Sequence, residues 1–208
     1  MLLLFLDNDI LLKIGSLGFL ENLKNLFSND TSSIFILPTA KPYILNNKNL
    51  RNKYSEHTLN EIVTILKNYK IILDEFIDDK RYRSLTSIDK IDSGERVLFS
   101  LNPPNTDFLI LTGDKNSIIQ LAKQGSNSEI NSTLTGRIVC LEHIALKLLD
   151  LHGIDIIGRR MIEKDFGGDK TLNLVFNQPN MTIEKASGGL LSYYNDLYSQ
   201  SNRLLLPL

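Results

Sequence analysis

The sequence predicts an α/β fold with a central, mainly parallel sheet, followed by a C-terminal helical extension. Three observations carry that prediction. Short, wholly apolar runs at residues 2–6, 34–37 and 108–111 have the length of strands and lack the polar alternation of a sheet with one wet face. Segments with apolar residues at mixed three-and-four spacing alternate with them, which is the β, α, β order of a parallel sheet. The first and last of these runs are followed by carboxylates, Asp7 and Asp114, where an open parallel sheet forms its crevice.

Taken in order, residues 2–6 make the first strand, closed by Asp7. Leu11, Leu12, Ile14, Leu17, Leu20, Leu23, Leu26 and Phe27 then follow helical spacing broken at Gly15 and Gly18, so two helices joined by a short turn are expected. The second strand is residues 34–37, stopped by Pro38. Residues 54–70 present Leu59, Ile62, Val63, Leu66 and Tyr69 on one helical face, and residues 71–76 read as a short strand or helix end. After a polar stretch, residues 78–92, Ser93-Gly94-Glu95 opens a helix that Pro103 and Pro104 stop. Phe108 to Leu111 is the next strand, a helix follows through Ile118, Ile119, Leu121 and Ala122, and residues 137–141 make a strand before a helix from Glu142 to His152 closed by Gly153. Beyond a break at residues 165–169, residues 172–176 read as a strand and Thr182 caps a last helix to about Gln200. Residues 1–160 therefore form one α/β domain and residues 161–208 an extension of strand and helix, packed on it or used for oligomerisation.

Composition excludes several classes. The 208 residues carry 23 basic against 24 acidic side chains, are 42% hydrophobic and include 12 Gly and 6 Pro, which is neither disordered nor collagen-like. A lone cysteine, Cys140, can form neither an internal disulfide nor a thiolate zinc site, and points to a cytosolic setting. The opening apolar run is broken at Asp7 and Asp9 and lacks a basic leader, so it reads as a strand and not as a signal or an anchor. His57, His143 and His152 are scattered without ligand spacing, no Gly-x-Ser-x-Gly elbow occurs, and the glycines make no phosphate loop.

The chemistry-bearing set is Asp7, Asp9, Glu95 and Asp114, four acids aimed at one crevice from strand ends and a helix start. Carboxylates gathered in this way repel one another unless a cation joins them, and hard oxygen donors select Mg²⁺ or Mn²⁺. Such an ion lowers the pKa of a bound water and draws charge from phosphoryl oxygens.

At LFLDNDILLKIG, ILPTAKPYIL, IDSGERVLFSL, FLILTGDKNSIIQLAK and GRIVCLEHIALKLLDLHG the chain resembles the PIN-like nucleases, in particular stand-alone bacterial ones in which a GE dipeptide heads a helix. The resemblance covers residues 1–160. It implies a three-layer α/β/α fold, metal-dependent hydrolysis of phosphodiester bonds in RNA, and a place in a toxin-antitoxin pair or defence element. It also implies an antitoxin or other protein partner and a homodimer. Asp7, Glu95 and Asp114 would be catalytic metal ligands for Mg²⁺ or Mn²⁺, with Asp9 beside the first. The family usually has a further glutamate after the second strand, where this chain reads Thr39-Ala40-Lys41-Pro42-Tyr43-Ile44-Leu45.

Two other readings stay open at this stage. Asp7 and Asp9 form an Asp-x-Asp pair and Thr112 ends an apolar strand, as in haloacid-dehalogenase-like phosphatases, although Ile10-Leu11 replaces the Gly-Thr that follows the acids there. The absent glutamate also fits a PIN-like binding module without catalysis, whose apolar C-terminus docks on the domain, pairs with a second copy or receives a partner. For nucleic-acid contact the candidates are Lys115, Arg81, Arg83 and Tyr82, cations with one interleaved ring.

Overall fold

The structure, a computed structural model, describes residues 1–27, 32–125, 128–163 and 169–208. Its elements in chain order are β1 (Leu3–Leu6), α1 (Asn8–Ser16), α2 (Leu23–Leu26), β2 (Ser33–Ile36), α3 (Ala40–Asn46), α4 (Glu56–Ile65), β3 (Lys70–Ile71), α5 (Asp79–Leu85), α6 (Ser93–Phe99), β4 (Phe108–Leu111), α7 (Lys115–Ala122), α8 (Glu129–Leu134), β5 (Ile138–Val139), α9 (Leu141–Glu163), α10 (Lys170–Phe176) and α11 (Ile183–Gln200). All five strands are parallel in the order β3-β2-β1-β4-β5, and the fold is three-layer α/β/α with added C-terminal helices.

The strand order fixes where a site can form. From β1 the chain winds through β2 to β3 on one side, then crosses back to place β4 and β5 on the other. The reversal lies between β1 and β4, whose registers pair Leu6 with Leu111. Connections leave those two strand ends in opposite directions, so a crevice opens at their carboxyl ends. Both strands are buried on both faces, as the uniform apolar runs require. Phe5 on β1 packs against Phe35, Phe76 and Phe108 with ring centroids 5.3, 6.0 and 5.9 Å away. Phe5, Phe35 and Phe108 are buried, and each such ring contributes about 1.5–3 kcal/mol through area removed from water.

Helix starts follow local capping chemistry. Asp7, Asp92 and Asp114 cap α1, α6 and α7, and Asp92 with Glu95 completes a reciprocal capping box. Gly15 permits close packing of α1 on α4, since a Cβ there would lie 2.7 Å from Ile62 Cγ1. Gly153, with φ 75°, interrupts α9 where the sequence places a helix stop, and helical backbone resumes beyond it.

Several expectations change in detail. Residues 172–176 are not a strand: they belong to α10, because a five-residue apolar run has no periodicity that separates a strand from a buried helical turn. Strand β3 is only Lys70–Ile71, followed by a 3₁₀ turn at Asp74–Phe76, and β5 is only Ile138–Val139 because Leu141 already begins α9. The polar stretch at 78–92 contains α5, capped by Asp78. Of the expected break at 165–169, residues 165–168 lie outside the described residues and Asp169 caps α10.

The C-terminus packs onto the rest of the chain. Helix α11 lies against α9, α10 and α7. Leu204 and Leu205 are fully buried, Leu205 bridges Ile138 in parallel, and the Leu206 amide donates to the Ile138 carbonyl at 2.8 Å. The tail thus covers the open edge of β5. Among the described residues no helix is long and apolar enough to cross a membrane.

Candidate active site

A cleft of about 780 Å³ opens at the carboxyl ends of β1 and β4. Asp7, Asp9, Glu95 and Asp114 all line it, so the structure brings together the four acids that the sequence singles out. Arg81, Tyr82 and Arg83 are not among its lining residues. Arg81 is buried 3.6 Å from Asp78 and 3.6 Å from Glu129, while Tyr82 is half-buried and Arg83 exposed on the same short helix.

Each acid is held by the element that delivers it. Asp7 Oδ1 accepts from the Asn8 amide at 2.7 Å and Oδ2 from the Thr112 hydroxyl at 3.2 Å. Burial pushes the Asp7 carboxyl up to about 6, and the neighbouring Asp9 carboxylate pushes the same way. Glu95, only 4% exposed, accepts from the Asp92 amide at 2.9 Å through Oε2. Burial carries it up to about 7 against the lowering effect of that bond. Asp114 accepts from the Ser117 amide at 3.0 Å, and its own amide donates to Thr112 Oγ1 at 3.2 Å.

Asp9 sits one helical turn before Lys13, whose ammonium lies 2.7 Å from Asp9 and 2.8 Å from Asp169. The lysine therefore bridges an acid from α1 and an acid from the C-terminal segment. Burial opposes the charge on Lys13, but the two carboxylates hold its pKa above the ordinary value. Burial raises Asp169, but the Lys13 bond, the Leu172 amide and the charges of Lys13 and Lys115 together bring it below the ordinary value, whereas Asp9 is raised because burial outweighs Lys13. Gly113 lets this arrangement form: a Cβ there would overlap Asp9 Oδ2.

The walls differ in character. On the α1–α3 side stand Leu12, Leu37 and Tyr43, with the tyrosine 39% exposed. Tyr43 lies in the segment after Pro38 that carries no carboxylate. The lining also includes Lys115, Asn116, Asp169 and Thr171. Lys115 Nζ lies 2.5 Å from Glu142 Oε1, donates to the Thr171 hydroxyl at 3.2 Å and is 5.1 Å from the centre of the Tyr193 ring.

The chain has no match among family models, curated proteins or solved structures.

All four acids offer oxygen, the donor type that a hard divalent cation takes, while burial raises the pKa of three of them. Among the described residues, no three of His, Cys, Asp or Glu stand together closely enough to hold a metal ion. Each acid is turned toward a protein donor.

Lys13, Tyr43, Glu142, Asp169 and Thr171 join the site without being singled out in the sequence. Asp9 and Lys13 have the i,i+4 spacing of a helix pair, and Glu142 follows an apolar strand just as Asp7 does. Asp169 and Thr171 carry no such signal, being 156 or more residues from Lys13 in the chain, or 56 from Lys115. The other reactive groups lie elsewhere. Cys140 is 1% exposed, with burial pushing its thiol up to about 12, and His143 is packed between Phe27 and Tyr194 with burial pushing it down to about 4.

Proposed function

We propose that this chain is a PIN-like, Mg²⁺- or Mn²⁺-dependent nuclease that hydrolyses phosphodiester bonds in RNA. The observation that carries the reading is the meeting of Asp7, Glu95 and Asp114, from β1, α6 and the β4–α7 junction, at the point where the strand order reverses. Asp7, Glu95 and Asp114 would hold the ion, with Asp9 beside them. Once bound, the ion would acidify a water and neutralise charge on the phosphate under attack.

The chain's own groups then divide the work. Burial raises Asp7 to about 6 and Glu95 to about 7, so both carboxyls are ionised and able to hold a cation above neutral pH. Tyr43 offers an exposed ring on the apolar wall, a surface on which an unstacked base can rest. Two features favour this reading over a phosphatase built on the Asp7 and Asp9 pair. Thr112, which would hold phosphate in that mechanism, is fully buried and bonded to Asp7 and the Asp114 amide. Glu95, which would have no part in it, lines the cleft.

Cleavage of an end-labelled single-stranded RNA in Mn²⁺ tests the proposal. Wild type is expected to cut, and Asp7→Asn and Asp114→Asn are each expected to lose at least about 100-fold in rate, the scale set by removing one transition-state charge partner. Undiminished cleavage by both variants would sink it.

A further inference from the structure

Lys115 occupies an electrostatically poor position, and the way it is held suggests why it is there. It is the first residue of α7, where the helix macrodipole disfavours a cation. Its side chain nevertheless remains about one-third exposed (32%), at the cleft, while its counter-ion Glu142 is 0% exposed. Neither carboxylate oxygen of Glu142 has a hydrogen-bond partner of good geometry among the described residues, and its charge is balanced by the ion pair from Lys115 to Oε1, with the neutral Cys140 thiol beside it. A fully buried carboxylate is a costly device for mere charge balance. It does hold one end of a long, flexible side chain in place.

The C-terminal segment supplies the remaining supports. Thr171 accepts a hydrogen bond from Nζ and the Tyr193 ring lies beside the ammonium. An ammonium has three donors. Thr171 takes one as a hydrogen bond and Glu142 Oε1 is an ion-pair partner, so the ammonium keeps donor capacity for a ligand in the cleft. Lys13 differs, because it is clamped between Asp9 and Asp169 and its side chain is 12% exposed.

We infer that Lys115 is the phosphate-gripping cation of the cleft, that Glu142 is its positioning residue, and that the C-terminal segment completes this subsite through Thr171 and Tyr193. This inference rests on the nuclease reading and names the ligand Lys115 takes in the cleft: a backbone phosphate of a single-stranded substrate.

The test is the salt dependence of binding, measured by fluorescence anisotropy with a short fluorescein-labelled oligouridylate and Ca²⁺ in place of Mg²⁺. The double variant Lys115→Gln with Glu142→Gln removes both charges, so no buried carboxylate is left unpaired. Its slope of log affinity against log salt is expected to be shallower than wild type by about 0.7, the loss of one phosphate contact on a single strand. Lys115→Arg, which keeps the charge, is expected to keep the slope. If the amide pair does not fold, Lys115→Met with Glu142→Leu makes the same comparison on an apolar pair. An unchanged slope in the folded double variant would overturn the inference and leave the nuclease reading standing. No binding by wild type would overturn the nuclease reading, and this inference with it.

Discussion

The backbone amide of Asp7 donates to the carbonyl of Leu111 at 3.0 Å, which ties the acid ending β1 to the strand that delivers Asp114. Asp7 is therefore set by sheet registry, and Asp114 by the short β4–α7 junction that leaves the paired strand. Thr112 reinforces the link, donating its hydroxyl to Asp7 and accepting the amide of Asp114. Rigid elements hold such groups more tightly than loops do.

Gly113 is the position where the backbone passes closest to this set. Its substitution by alanine places a methyl where Asp9 Oδ2 lies and about 3.4 Å from Lys13 Nζ, so the Asp9–Lys13 pair must open. Gly113→Ala is expected to cost about 1–3 kcal/mol, as overpacking does. Adding Asp9→Ala removes the clash, so the double variant should be more stable than the sum of the two single changes. Urea unfolding of the four proteins measures that coupling, and strict additivity would contradict the contact.

The raised carboxylates make a signed pH prediction. Asp7 goes from 3.8 to about 6 and Glu95 from 4.5 to about 7, so the folded state binds protons more tightly than the unfolded state. Their contribution to stability is present in full at pH below the unfolded values and is lost as pH rises through the folded ones. Asp7→Asn and Glu95→Gln keep their capping geometry. Each is expected to stabilise the metal-free protein by about 1–3 kcal/mol at about pH 8 and to make little difference at about pH 4. His143, lowered to about 4, works in the opposite sense, its contribution falling away as pH drops below 6.5. Comparing each variant with wild type at the same pH cancels it. Calorimetric melting across that range checks the sign, and variants less stable than wild type at about pH 8 would refute it.

The tail is expected to behave as part of the fold. Leu205 is fully buried and pairs with Ile138 at the sheet edge, and Tyr194 donates its hydroxyl to the Leu206 carbonyl at 2.8 Å. Leu205→Ala should cost about 2–5 kcal/mol. Limited proteolysis should leave residues 201–208 attached in wild type and release them in the variant. Early cleavage there in wild type would mean that the tail is not docked.

How much of this was legible in the sequence follows from the range of the interactions. β1 and β4 could be read because burial on both faces forces an unbroken apolar run, and Asp7 and Asp114 because they end those runs. Glu95 was legible from the GE dipeptide at a helix start. Residues 172–176 misled because five apolar residues suit a strand or one buried face of a helix equally. Arg81 looked like a surface cation, but Asp78 and Glu129 neutralise it in place, and Glu129 lies 48 positions further on in the sequence. The Lys13–Asp169 and Lys115–Thr171 contacts depend on how the C-terminal helices return to the cleft, and no local pattern encodes that return. Glu142 was read only as the start of a helix, and its burial beside Lys115 is what gives it a role.

The central claim is that strand-end carboxylates form one cation site. Calorimetric titration of Mn²⁺ at about pH 8, where Asp7 and Glu95 are both ionised, measures this without any choice of substrate. Wild type is expected to bind, with Asp114→Asn and Glu95→Gln each weakening the affinity by at least about tenfold, which corresponds to about 1.4 kcal/mol. Absence of binding in wild type, or affinity unchanged in both variants, would contradict the account.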